Sequence, residues 1–338
     1  MICINTDSSS SGIGVYAKIM GKVVGENNII SIIMDKRKKN YEYPGKVVVG
    51  IFPPGTTGWQ FNSRFYRTIF KIRKVDLPKF VHFLSPFLMP TERQEGIVTI
   101  HDLYHLYRTK KHEGYIAKLF EIYKKWENII AISEVTKKDL LRIGAKEENV
   151  KVIHHSLDEY TWHRADDESI ITTRQRIGVP ENKKIVLTVG DGIGKNNELV
   201  RKAVKGDYFH IHVGSDIQAD VNLSNIKDSE LVSLYSMADV FCRPSSYEGF
   251  GRPPLESLFC GTPAVVSDIE IYKEILGSSG IYSKLDVASI KESIKIAINE
   301  GPNIIKGFDS KYRSYYSMPR FIDDMTAYYQ SRGYKLRE

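Results

Sequence analysis

Residues Ser245 to Val266 read SSYEGFGRPPLESLFCGTPAVV. They follow an apolar stretch, Asp239 to Cys242, that predicts a strand. The triplet Gly249-Phe250-Gly251 then marks a turn, and Pro253 and Pro254 suit the first positions of a helix, where a missing N–H is no loss. Leu255 and Leu258 continue that helix, and Gly261 is a good place for it to stop. Ala264-Val265-Val266 returns the chain to a buried strand. A strand, a tight turn, a helix and a second strand make one unit of an α/β sheet.

Two carboxylates bracket the turn, Glu248 before it and Glu256 eight positions later on the first helical turn. Helical side chains lean toward the N-terminus, so Glu256 is expected on the same side as Glu248. Free N–H groups at a helix start hold anions, and the helix dipole favours them. Donors for a phosphate beside acceptors for hydroxyls suit a sugar nucleotide. The plainer alternative is that Glu256 only stabilises its own helix dipole.

EGFGRPPLE followed by CGTPAVVS resembles the Glu, seven residues, Glu signature of family 4 retaining glycosyltransferases. The resemblance implies a GT-B fold, two Rossmann-like doubly wound domains facing a central cleft. By it, Glu256 holds the donor's ribose hydroxyls, Glu248 acts at the donor sugar, and Gly249, Phe250 and Gly251 supply close backbone contacts. No dedicated nucleophile is evident, and the leaving phosphate would take the acceptor proton.

Other segments extend the resemblance. Ile2 to Asn5 reads as a strand, and Gly12-Ile13-Gly14 opens a helix from about Val15 to Val24, a phosphate-type corner. By the resemblance, Gly14 lies at the donor, with Ser11 where the family has its first glycine. The strand Gly96 to Ile100 delivers His101-Asp102 to its carboxyl end, where open α/β sheets bind ligands. The resemblance places His101 on the donor sugar; otherwise it merely ends a strand. Lys184 to Val189 is the strand that leads into GDGIGKNN, where the family carries an Arg and Lys pair for the donor diphosphate. Lys195 takes the lysine position, and Asp191 stands where the arginine is expected.

At 338 residues the chain is long enough for two domains. The boundaries read as 1–160 for an acceptor domain and 161–317 for a nucleotide-sugar domain, with a C-terminal helix at 318–338 rejoining the first. Val287 to Asn299 and Met318 to Gln330 read as helices. No sequence repeat relates the halves.

With 42% apolar and 26% charged residues, the composition is that of a globular protein. No apolar run approaches the ~20 residues of a membrane span, and MICINTD is too polar for a signal peptide. The expected location is cytoplasmic, with a membrane-surface contact as one reading of the basic, aromatic helix expected over 62–74; an ordinary domain helix is the other. A net charge of +7 leaves nucleic acid, anionic membrane or acidic substrate open, but no zinc spacing or RNA-binding signature supports nucleic acid. Cys3, Cys242 and Cys260 form no metal-ligand pattern, and His154, His155 and Asp158 have no partner cluster.

The expectation is therefore a metal-independent, anomer-retaining hexosyltransferase, of mannose or glucose type, with no cofactor. Its partners are a GDP- or UDP-sugar and a glycan, lipid-linked or other hydroxyl acceptor. The alternatives are a GT-B sugar-nucleotide epimerase or phosphorylase, or a catalytically silent sugar-nucleotide binder.

Overall fold

A computed structural model describes residues 1–6, 11–33, 42–49, 80–86, 96–103 and 113–334. The sequence also reads as a basic loop at 36–39 and an apolar run of strand length from Lys46 to Phe52; that loop, the run beyond Val49 and the helix expected over 62–74 lie outside these residues. The chain divides into two compact units, Met1–His155 with Phe321–Glu338, and Ser156–Arg320. The breaks fall at 155/156 and 320/321, where the sequence reading placed them at 160/161 and 317/318.

The first unit holds strands β1 (Ile2–Asn5), β2 (Ile29–Ile33), β3 (Lys46–Val49), β4 (Val81–Phe83), β5 (Ile97–Ile100), β6 (Ile129–Ala131) and β7 (Val150–Val152). They form one sheet in the order β3-β2-β1-β4-β5-β6-β7. Every pairing is parallel. Parallel strands need crossovers and are covered on both faces, so their sequences run apolar without alternation. β4, β5 and β6 are buried at every position. The crossover from β1 is the helix Gly12–Val24, whose Tyr16, Ala17 and Met20 are buried.

The second unit holds β8 (Ile185–Val189), β9 (Phe209–Val213), β10 (Val221–Leu223), β11 (Val240–Arg243), β12 (Ala264–Ser267) and β13 (Gly280–Ser283). Their order is β10-β9-β8-β11-β12-β13, again parallel throughout. In both sheets the strand order reverses once, between β1 and β4 and between β8 and β11. Outside the carboxyl ends of such a pair of strands lies a crevice that binds ligands.

The edge strand β10 was not read from the sequence. VNL has too little apolar length to announce itself, and only its pairing with β9 defines it. The helix expected to end at Asn299 runs on from Val287 to Lys311, through Glu300-Gly301-Pro302. Gly and Pro ordinarily stop a helix. Packing overrides them here: Phe308 is fully buried, its ring 5.5 Å from that of Phe259. The last helix, Met318–Ser331, opens in the second unit and belongs to the first from Phe321 on. Among the described residues no helix is long and apolar enough to cross a membrane.

Candidate functional site

The turn that follows β11 depends on backbone that only glycine takes easily. Gly251 has φ +87°, and a Cβ there would come within 2.7 Å of the Tyr272 ring. The helix Arg252–Phe259 begins at once, with proline in its first turn. Leu255, Leu258 and Phe259 are fully buried. Burial contributes about 1.5–3 kcal/mol for each such side chain, which fixes this short helix against the sheet.

Glu248 sits between cations. Its Oε1 accepts from Lys195 Nζ at 2.6 Å, Arg243 Nε at 3.1 Å, Ser245 Oγ at 2.8 Å and the Tyr272 hydroxyl at 3.4 Å. Burial pushes its carboxyl up, but Arg243 and Lys195 outweigh this and hold it below the usual carboxylate range. Glu248 and Lys195 come from the loops that follow β11 and β8, the strands that flank the switch point. Further bonds tie the two loops: Asn196 Nδ2 donates to Pro244 O at 2.7 Å, and Ser246 N to Gly194 O at 2.8 Å.

Glu256 lies apart from that cluster. Its Oε2 accepts from the Tyr235 hydroxyl at 3.3 Å, and its Oε1 lies 3.3 Å from Arg252 Nε, one turn back. Burial raises its carboxyl, against the opposing pull of Arg252. The expected lean toward the helix N-terminus is met by Arg252, and no donor described here serves both glutamates. Phe250 is buried with its ring 6.1 Å from that of Tyr316. Pro253 and Pro254 carry no N–H, so the helix start offers fewer amide donors than the sequence reading assumed.

Asp191 makes a structural contact where a clamp arginine was expected. Its carboxylate accepts from Ser215 N at 2.7 Å, Ser215 Oγ at 3.0 Å and Asp216 N at 3.2 Å, bracing the turn after β9. Burial pushes it up, but these N–H groups outweigh burial and hold it down at about 2. Asp191, His212 and Asp216 have potential metal-ligand atoms within 4.8 Å of one another. Contacts within the protein already serve these atoms: His212 Nε2 lies 3.2 Å from Asp191 Oδ1 and 3.0 Å from Asp216 Oδ1, and Asp216 Oδ2 accepts from Gly192 N at 3.0 Å.

In the first unit, His101 follows β5 and its Nε2 donates to Leu84 O at 2.8 Å. A carbonyl only accepts, so this bond places a proton on Nε2. The ring of Tyr16 stands edge-on to His101, centroids 5.0 Å apart, and stacks on His155 at 4.8 Å. Behind it runs a buried chain. The Tyr16 hydroxyl meets Thr99 Oγ1, which meets His82 Nε2 at 2.8 Å, and His82 Nδ1 meets the Tyr329 hydroxyl at 2.7 Å. Burial, with the charge of His101 adding to it, lowers His82 to about 3, so it is neutral. Gly14 is buried and donates its N–H to Ser11 Oγ at 2.9 Å, a helix cap.

Sequence reading missed Arg243, Tyr272, Tyr235 and Arg252. Arg243 carried one signal, a cation ending an otherwise apolar strand. The partners of the other three depend on folding.

A family profile described as Glycosyltransferase Family 4 matches residues 21–159, and one described as Glycosyl transferases group 1 matches 217–306. The chain belongs to glycosyltransferase family 4. Among family relatives, it is 24% identical over 221 residues to an alpha-galactosylglucosyldiacylglycerol synthase of Streptococcus pneumoniae, covering 58% of each chain. It is 34% identical over 93 residues to the O-antigen chain mannosyltransferase RfbU of Salmonella typhimurium, covering 28% of this chain and 26% of that one. The chain thus spans little more than half the length of the first relative and about a quarter of the second. The fold is GT-B. The crystal structure of Anabaena HepE in complex with UDP-glucose superposes with a TM-score of 0.76 at 14% identity, covering 98% of this chain and 99% of that one.

Proposed function

We propose that this family 4 chain is a hexosyltransferase. It takes a hexose, of mannose or glucose type, from a nucleoside-diphosphate sugar and places it on a hydroxyl of a glycan or glycolipid, retaining the anomeric configuration and using no metal. The observation that carries this reading is the Lys195–Glu248–Arg243 cluster at the carboxyl ends of β8 and β11. A cation for a phosphate and an ionised acceptor for hydroxyls stand side by side in the crevice that such a sheet provides. The relatives are named for a diacylglycerol glycolipid and for O-antigen mannose, and the HepE crystals hold UDP-glucose.

In this reading Lys195 meets the diphosphate and stabilises it as it leaves. Glu248 accepts from hydroxyls of the donor sugar, while Glu256 accepts from those of the ribose. The amides of Gly249, Phe250 and Gly251 line the donor, and Gly14 lies beside it. Retention passes through an oxocarbenium-like centre, and His101 positions the reacting sugar. The departing phosphate takes the acceptor's proton.

A thermal-shift screen with UDP-, GDP- and ADP-sugars tests the donor, because a ligand stabilises only the state it binds. Turnover is then measured with the stabilising donor and a panel of glycan and lipid acceptors. Acceptor-dependent product with unchanged anomer is expected. Conversion without acceptor would mark an epimerase, and binding without product a silent binder.

A further inference from the structure

Glu256 is a buried carboxylate with few partners. Its Oε2 accepts from the Tyr235 hydroxyl at 3.3 Å, and its Oε1 lies 3.3 Å from Arg252 Nε. Among the described residues Arg252 is its one cationic contact. The Glu256 and Arg252 side chains are 9% and 12% exposed. A carboxylate offers about four lone-pair sites. Two contacts at the long end of the hydrogen-bond range leave part of that capacity open.

Local rules do not favour an arginine at this place. Arg252 is the first residue of its helix, where the dipole opposes a cation. A cation four residues before its acid is also the less favourable order on a helix. A residue set against local preference marks a place where tertiary contact or function decides. Arg252 has such a contact: its Nη1 donates to Ser156 O at 3.0 Å. Ser156 is the first residue of the second unit and is buried. It is itself held in place. Its Oγ donates to Met318 Sδ at 3.7 Å, and the N–H of the next residue, Leu157, donates to Tyr316 O at 2.9 Å. The planar guanidinium is a rigid fork, so Arg252 spans from a pinned carbonyl to the Glu256 carboxylate. Anchoring at both ends removes the side-chain freedom that makes an ordinary surface pair weak.

We infer that Arg252 is a positioning residue: anchored on Ser156 O, it holds the Glu256 carboxylate where its open lone pairs accept from the ribose hydroxyls of the donor. Arg252 acts through Glu256, and it thereby sets the preference for a ribonucleotide over one that lacks those hydroxyls. The assignment of the ribose to Glu256 rests on the function proposed above.

Calorimetric titration with UDP and GDP, each beside its 2′,3′-dideoxy analogue, tests this on the wild type, Arg252→Met, Glu256→Gln and the double variant, with thermal unfolding as a check on folding. The wild type should bind the ribonucleotide about 10- to 100-fold more tightly than the dideoxy form, the worth of hydrogen bonds to a charged group. In Arg252→Met that preference should shrink by about tenfold, while affinity for the dideoxy form stays near wild type. A loss that weakens both forms alike would be merely structural and would overturn the inference. Arg252→Met leaves a buried carboxylate unpaired. If it fails to fold, the double variant carries the test, because it removes both charges. Since Arg252 works through Glu256, the double variant should bind the ribonucleotide as Glu256→Gln does. Weaker binding by the double variant would give Arg252 a part of its own and overturn the positioning role. A wild type that binds the nucleotides without preferring ribose would overturn this inference and leave the transferase reading standing. A wild type that binds none of the four would overturn both.

Discussion

The two units carry candidate sites of opposite character at corresponding edges of similar sheets. Around Glu248 the second unit gathers full charges, a carboxylate held by Lys195 and Arg243. Around His101 the first unit gathers rings and neutral hydrogen bonds, from Tyr16 and His155 back to Thr99, His82 and Tyr329. Both follow strands at or beside the reversal in strand order, so topology alone does not set their chemistry. The contrast suits a division of labour. Fixed charge binds a diphosphate tightly whatever its sugar, whereas a histidine held by its bond to Leu84 O can orient a hydroxyl.

The contrast can be broken most severely at Glu248. Glu248→Ala strands Arg243 and Lys195 without their counter-ion, and an uncompensated buried charge costs about 3–5 kcal/mol. A drop in melting temperature on the order of 10 °C is expected, and an unchanged melting curve would mean that the cluster is solvated. His101→Ala probes the other side. It should lower kcat by about 10²-fold while calorimetry shows binding of the free nucleoside diphosphate near wild type, since that ligand lacks the sugar. Full turnover in a folded variant would reduce His101 to the end of a strand; lost diphosphate binding would place it with the charged site instead.

Glu256→Gln sharpens the comparison within the second unit. It should cost about 1.5–3 kcal/mol in donor affinity, the worth of a charged acceptor. Unchanged affinity would mean that Glu256 serves only Tyr235 and Arg252. The smallest expected effect is that of metal removal. Turnover in excess EDTA should match the untreated enzyme, because cationic side chains carry the diphosphate charge. Loss of turnover restored by magnesium or manganese would point to the Asp191, His212 and Asp216 group.

The legible part of the site was the part written in local chain. The turn at Gly249 to Gly251, the proline start and the strands on either side followed from steric and capping rules that act over a few residues. Lys195 and Glu248 were each read from a motif, and the structure brings them to 2.6 Å. Gly14 and Glu256 were read as donor contacts, and the structure gives them partners within the protein, Ser11 for one and Tyr235 and Arg252 for the other.

By itself, the sequence determined that the chain builds two parallel α/β sheets and where most of their loops fall. Apolar runs of strand length, glycine turns and helix caps are properties of short segments, and they survive without knowledge of neighbours. Tertiary structure decided the rest. It carried a helix through Gly301-Pro302 because Phe308 gains a buried partner in Phe259. It set Asp191 to bracing a turn, and it brought Arg243 across from β11 to the carbonyls of Val189 and Gly190. Residues 53 and 54 positions apart along the chain meet there because β8 and β11 are neighbours in the sheet. A charge balance set by strand order has no local signature, since it depends on which ends the fold lays side by side.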